Sequence, residues 1–235
     1  FRSLFDKTNK ESFNHELEQI KSLSYHYNKF INPQSVKEFI IRKELDYINR
    51  LEINVAYPFL LQVFEDEDNG LLSKDELVSI LQLIQSYTFR RFIVGLPTNA
   101  LNKIFMTLYT EVDTENYYES VAVALLKKKG SGKFPTDDEL KFAIKDKDLY
   151  NIKPKNKYYM FEKLENYNNK EFVDTSNELI TIEHIFPQTP DASWSSELPE
   201  EDFLLFKEKY LNTISNLTLS GNNGALSNKS FIAKR

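Results

Sequence analysis

The sequence predicts an α+β fold, mainly α: a helical domain over residues 1–170, then a compact ββα unit over 171–235. Three observations carry this. Gly 6 and Pro 8 are low while Tyr 13 and Phe 18 are high, which favours helices and a well-filled core over disorder. Apolar residues recur at three- and four-residue steps through most of the first part. From about Glu171 the pattern changes to short extended stretches separated by turns. At 235 residues the chain is long enough for one large domain or two small ones.

Residues 36–52 read as a helix, with Val36, Phe39, Ile40, Leu45, Ile48 and Leu51 on its stripe and Ser35 as N-cap. Residues 54–64 read as a shorter helix that Pro58 limits or kinks. Glu65-Asp66-Glu67-Asp68-Asn69-Gly70 reads as an acidic turn. It is no calcium loop, because Leu71 and Leu72 follow the Gly where oxygen ligands are needed. Ser73 with Glu76 forms a capping box that opens a helix through Val94, ended at Gly95-Leu96-Pro97. Further helices are expected over 99–112 and 117–128, the second closed by Gly130-Ser131-Gly132. Thr136 with Glu139 is a second capping box, opening a helix to about Lys147, and 155–167 completes the helical run.

Beyond it, Ile180-Thr181-Ile182 favours extended structure. Residues 187–199 read as a polar loop and 203–210 as a short helix. Asn216 to Ser220 alternates like a half-buried strand, Gly221 to Gly224 is a turn, and 225–234 can form a helix.

Composition excludes several classes. With Cys 0 there is no disulfide framework and no thiolate metal site. No apolar run approaches the ~20 residues of a membrane span. The chain opens with Phe1-Arg2-Ser3 and has no signal region, so a cytoplasmic fragment of something longer is expected. Net charge is −5, which argues against nucleic-acid binding by bulk charge. Yet residues 127–163 carry eleven lysines against six acids. That segment, with Lys128 and Lys129, is either a phosphate-facing surface or a solvated face. Arg90-Arg91 could meet phosphate or, the preferred reading, an acid of a neighbouring helix.

The ββα unit holds the chemistry. Phosphodiester hydrolysis needs a group that deprotonates water and a hard cation that neutralises phosphate charge. His184 suits the first role, since imidazole titrates near ~6.5. Carboxylate and amide oxygens suit the second, and Glu183, Asn216, Asn222, Asn223 and Asn228 all lie in this unit. Adjacent strand residues face opposite ways, so Glu183 and His184 can serve one site only if the strand ends or twists there; Pro187 makes that plausible.

Glu183-His184-Ile185-Phe186-Pro187-Gln188, followed by Asn216-Leu217-Thr218-Leu219 and a downstream Asn, resembles the HNH or His-Me finger nuclease pattern. Together with "SYTFRRFIVGLPTNALNKIFMTLY", "FPTDDELKFAIKDKDLY" and "YLNTISNLTLSGNNGALSNKSFIAKR", it is similar to the C-terminal half of the GmrSD family, modification-dependent, type IV-like restriction endonucleases. The resemblance spans about residues 75–235 and is most specific in the last sixty. It implies an Mg²⁺-dependent (or Mn²⁺-dependent) DNA endonuclease module that acts in defence against modified foreign DNA. His184 would be the catalytic base, Glu183 a metal ligand, Asn216 the Asn that braces the histidine loop, and Asn223 the second metal ligand, with Asn228 competing for that role. Lys229 and Lys234, beside the final helix, would help steer phosphate along with Lys128 and Lys129.

Two departures stand out. Ser215 occupies a position where the family usually has Gly, and nothing here resembles the family's N-terminal sensor, with its link to nucleotide hydrolysis. That sensor is therefore an expected partner, along with double-stranded, modified DNA. The alternative is a catalytically degenerate binding or regulatory module whose helical part makes oligomer or partner contacts. Taken singly, the bland readings stay open: Asn222, Asn223 and Asn228 as turn or cap residues, and Trp194 as an apolar anchor. His15 and His26 lie in a polar helical segment without a partner pattern.

Overall fold

Helices dominate the computed structural model, which describes residues 10–221 and residue 229. In chain order the helices are α1 (Lys10–Ile31), α2 (Phe39–Arg50), α3 (Tyr57–Asp68), α4 (Lys74–Val94), α5 (Asn99–Leu108), α6 (Tyr117–Leu126), α7 (Asp137–Asp146) and α8 (Pro154–Glu165). Then follow β1 (Thr181–His184), α9 (Ala192–Glu197), α10 (Glu200–Leu205), a π-turn Phe206–Tyr210, a 3₁₀ turn Ile214–Asn216 and β2 (Leu217–Ser220). Among the described residues no helix is long and apolar enough to cross a membrane. The helix expected over 225–234 lies outside them.

The chain forms two compact units. One comprises the described residues to Phe92 with Leu96–Phe134, the other Ile93–Gly95 with the described residues from Pro135 on. The sequence reading set its boundary at 170; here α7 and α8 lie in the same unit as the strands.

In the first unit α3 packs on α1 and α5, and α2 on α1. Phe30, Ile48, Leu60, Phe64, Leu77 and Phe105 are among its buried core. Both capping boxes form. Ser73 and Glu76 exchange bonds at the start of α4, and Thr136 and Glu139 do so at the start of α7 in the second unit.

Several local expectations are corrected. Ser35 is not the cap of α2: it ends a 3₁₀ turn begun by Pro33, and its hydroxyl donates back to the Asn32 carbonyl at 2.8 Å. Phe39 and Ile40 face outward while Ile41, Leu45 and Ile48 are buried. Pro58 sits in the first turn of α3, where its missing N–H costs nothing, so it starts the helix. Glu65 to Asp68 belong to that helix, and Asp66 turns inward to accept from the Tyr109 and Tyr117 hydroxyls at 2.9 and 2.6 Å. Burial pushes the Tyr117 phenol up.

Arg91 is bonded to backbone carbonyls and not to an acid among the described residues. It is buried, stacks over Tyr87, and donates to the carbonyls of Lys133 and Pro97 at 3.1 and 2.7 Å. His26 does have partners: it is fully buried, with Nε2 3.2 Å from Glu65 Oε2 and 3.5 Å from Asp68 Oδ2.

In the second unit α8 packs on β2, and α7 on the Ile214–Asn216 turn. The C-terminal end of α8 is stitched to the segment that leads into β1. Asn166 accepts from the Val173 amide and donates to the Val173 carbonyl, both at 2.8 Å. The buried Glu162 carboxylate accepts from the Thr175 amide at 2.9 Å and from its hydroxyl at 2.5 Å. These polar bonds hold the chain between α8 and β1 against the end of α8. The region read as a polar loop over 187–199 contains α9, capped by Asp191, which accepts from the Ser193 amide.

Candidate active site

β1 and β2 pair antiparallel, Thr181 with Ser220, Ile182 with Leu219, Glu183 with Thr218 and His184 with Leu217. The β-branched Thr181-Ile182 and the alternating Leu217-Thr218-Leu219 suit a pleated, half-buried surface. His184 is the last residue of its strand, and both it and Glu183 are 7% exposed.

The histidine ring meets two residues from two distant segments, and a third stands behind one of them. Its face meets Tyr150, with ring centroids 4.2 Å apart at 56°. Its Nε2 is 3.2 Å from Asn212 Oδ1. The Asn212 Nδ2 in turn donates to Asp148 Oδ2 at 3.3 Å. The Asn212 carbonyl accepts from the Leu149 and Tyr150 amides at 2.8 and 3.2 Å, which pins the two segments together.

Asp148 also accepts from the Asn151 amide at 3.0 Å and the Asn151 side chain at 2.7 Å, an Asx-type turn. Partial burial pushes its carboxyl up. The donors around it outweigh this, first the Asn151 side chain, then the Asn151 amide, the Asn212 side chain and the Tyr150 amide, and they hold it below its ordinary range. Lys157 donates to the Tyr150 carbonyl at 2.6 Å and lies 4.1 Å over its ring. Burial lowers the Lys157 ammonium pKa, against the attraction of Asp148.

The loop after the histidine hangs on Asn216. Its side chain accepts from the Phe186 amide at 2.7 Å and donates to the Phe186 carbonyl at 2.9 Å and the Leu211 carbonyl at 2.8 Å. Its own carbonyl accepts from the Ile185 amide at 2.9 Å, which extends the ladder one step past β1. Phe186 packs against Trp194, Phe203 and Phe206, with centroids at 5.1, 5.4 and 5.8 Å. The indole N–H of Trp194 donates to the Lys229 carbonyl at 3.0 Å. Ser215 has an ordinary negative φ, so a glycine is not required there by the backbone, and its hydroxyl meets that of Thr213 at 2.7 Å.

Asn223, Asn228 and Lys234 lie outside the described residues, as does Asn222. Lys229 is exposed in the second unit. Lys128 and Lys129 belong to the first unit, where Lys128 is ion-paired with Glu111 at 2.5 Å and Lys129 is exposed. Among the described residues no three His, Cys, Asp or Glu side chains cluster for a metal ion. Glu183 offers a hard carboxylate next to the histidine, a donor type that suits Mg²⁺ but is one ligand of a set.

Asp148, Tyr150 and Asn212 were not singled out by the sequence. The available signals were the Asp148-x-x-Asn151 spacing of an Asx turn and a polar Asn212-Thr213 pair just before the second strand.

Residues 134–235 match the family model of the GmrSD restriction endonucleases, C-terminal domain. The matched segment takes in all of the second unit from Pro135 on. No curated protein and no solved structure matches the chain.

Proposed function

We infer, from a chain whose residues 134–235 match the C-terminal domain of the GmrSD restriction endonucleases, that it is the nuclease module of a restriction system and hydrolyses phosphodiester bonds in DNA. The observation that carries this reading is the placement of His184. It ends a strand, its ring is oriented by Tyr150 and Asn212, and the following loop is held by Asn216.

In this reading His184 takes the proton of the attacking water as the new P–O bond forms, and the bond from phosphorus to one bridging oxygen breaks. Asn216 positions the loop and does not touch the substrate. An Mg²⁺ or Mn²⁺ ion held by Glu183, with Asn223 or Asn228 as the second protein ligand, would neutralise charge on the phosphate and the leaving oxygen. The substrate is double-stranded DNA of foreign, modified origin, selected by a separate sensor domain.

Supercoiled plasmid incubated with the chain and Mg²⁺ or Mn²⁺ should be nicked or linearised. His184→Ala and EDTA should each abolish cutting. Equal cutting by His184→Ala would remove His184 as the base. If neither this chain nor the chain joined to its sensor cuts modified plasmid, the nuclease reading fails.

A further inference from the structure

We propose that Asp148, acting through the side-chain amide of Asn212, is a positioning residue that fixes the His184 imidazole with its proton on Nε2, leaving Nδ1 as the nitrogen that accepts. The inference rests on His184 being the base, and adds which nitrogen works and what sets it.

The argument is one of donors and acceptors. An ionised carboxylate only accepts. Asp148 Oδ2 faces the side chain of Asn212 at 3.3 Å, so the group turned toward it must be the NH₂. The opposite orientation would set the amide oxygen against the carboxylate. With the NH₂ committed to Asp148, Asn212 Oδ1 points at His184 Nε2 at 3.2 Å. An amide oxygen only accepts, so Nε2 must donate, and in a neutral imidazole the other nitrogen is then the acceptor.

Nothing in this chain of contacts is loose. Asn151 donates twice to Asp148 and keeps the carboxylate in place. The Asn212 backbone is bonded to Leu149 and Tyr150. The Tyr150 ring closes the third side of the imidazole, and Lys157 holds the Tyr150 carbonyl. Asp148 is thus to the histidine what the carboxylate of a hydrolytic triad is to its own, with one amide interposed.

The chain has three histidines, so ¹⁵N-histidine labelling gives a readable spectrum, with the His184 signals assigned by their loss in His184→Ala. Recorded without metal at alkaline pH, where imidazole is neutral, the nitrogen shifts of the wild-type chain should show the Nε2–H form for His184. In Asp148→Asn the NH₂ at position 148 favours a turned Asn212 amide, and the signals should move toward the Nδ1–H form or a mixture. Asn212→Ala removes the contact and should also mix the forms. With plasmid substrate both variants should lose roughly tenfold or more in kcat with KM little changed.

An Nδ1–H form in the wild type overturns the proposal. So does an unchanged tautomer with unchanged kcat in an Asn212→Ala variant whose Trp194 fluorescence shows a folded second unit. The spectrum is read without cleavage. Equal cutting by His184→Ala would therefore remove His184 as the base while the tautomer assignment stands, and the wrong tautomer beside an inactive His184→Ala would remove only the relay.

Discussion

The Asn216 side chain holds both backbone groups of Phe186, accepting from its N–H at 2.7 Å and donating to its carbonyl at 2.9 Å, across thirty positions of sequence. An amide has both functions in one plane, so it substitutes for a strand partner just where β1 has run out of ladder. Both residues are buried, and removing the side chain leaves the Phe186 groups and the Leu211 carbonyl without these partners. Asn216→Ala should destabilise the second unit by about 3 kcal/mol, since each orphaned buried group costs ~1–3 kcal/mol. Trp194 is the only tryptophan, so urea unfolding followed by its fluorescence reports this unit. A loss below about 1 kcal/mol would show that the clamp is dispensable.

Phe186 is 2% exposed and touches three aromatic rings. Phe186→Ala should cost about 3–5 kcal/mol, and Phe186→Leu clearly less. Both are measured by the same fluorescence transition. Equal effects of the two would mean that the contacts of the ring itself, and not the volume it fills, carry the stabilisation.

His26 gives the first unit a pH dependence of definite sign. Burial lowers its pKa most and Lys29 lowers it further, against Asp68 and Glu65, which raise it. The unfolded chain therefore takes up the proton first as pH falls. The stability that His26 contributes is complete above its unfolded pKa of ~6.5 and is lost as pH falls through the depressed folded value. Melting temperature by circular dichroism should fall between pH ~7.5 and ~5.5, and His26→Gln should show a shallower fall. An identical slope in the variant would assign the effect to other groups.

Lys128 and Lys129 sit in the first unit, and Lys128 already has Glu111 as a partner. If both reach phosphate when DNA binds, Lys128→Ala with Lys129→Ala should weaken binding and flatten the log–log salt dependence by about 1.8, at ~0.9 per contact. Lys129→Ala alone should account for about half of that. Fluorescence anisotropy of a labelled duplex from low to moderate salt measures it. An unchanged slope removes both lysines from the interface.

Local chemistry was legible in the sequence. The capping boxes at Ser73 and Thr136 are three-residue patterns that close on themselves, and both form. β-Branching at Ile180-Thr181-Ile182 and alternation over Asn216 to Ser220 mark the two strands, which run over Thr181–His184 and Leu217–Ser220 and leave Ile180 and Asn216 just outside. Ser35 misled because Pro33 pre-sets a 3₁₀ turn that claims its hydroxyl. Glu65 to Asp68 misled because charge density suggests solvent, while Asp66 finds two tyrosine hydroxyls from distant helices. Of the site, His184 and Asn216 could be named from a short motif. Asp148 could not: it meets Asn212 across 64 positions, and no local rule couples residues so far apart.

That separation bears on the order in which the histidine acquires its anchors during synthesis. Synthesis runs from the N-terminus, and domains fold as they emerge. The first unit can close while the rest is still being made. His184, however, lacks its amide partner until residue 212 has been added and its paired strand until residues 217–220 have followed. A ribosome holding a half-made chain therefore displays the histidine without its anchors, and a truncated product that stops before Asn212 carries the motif but not the device.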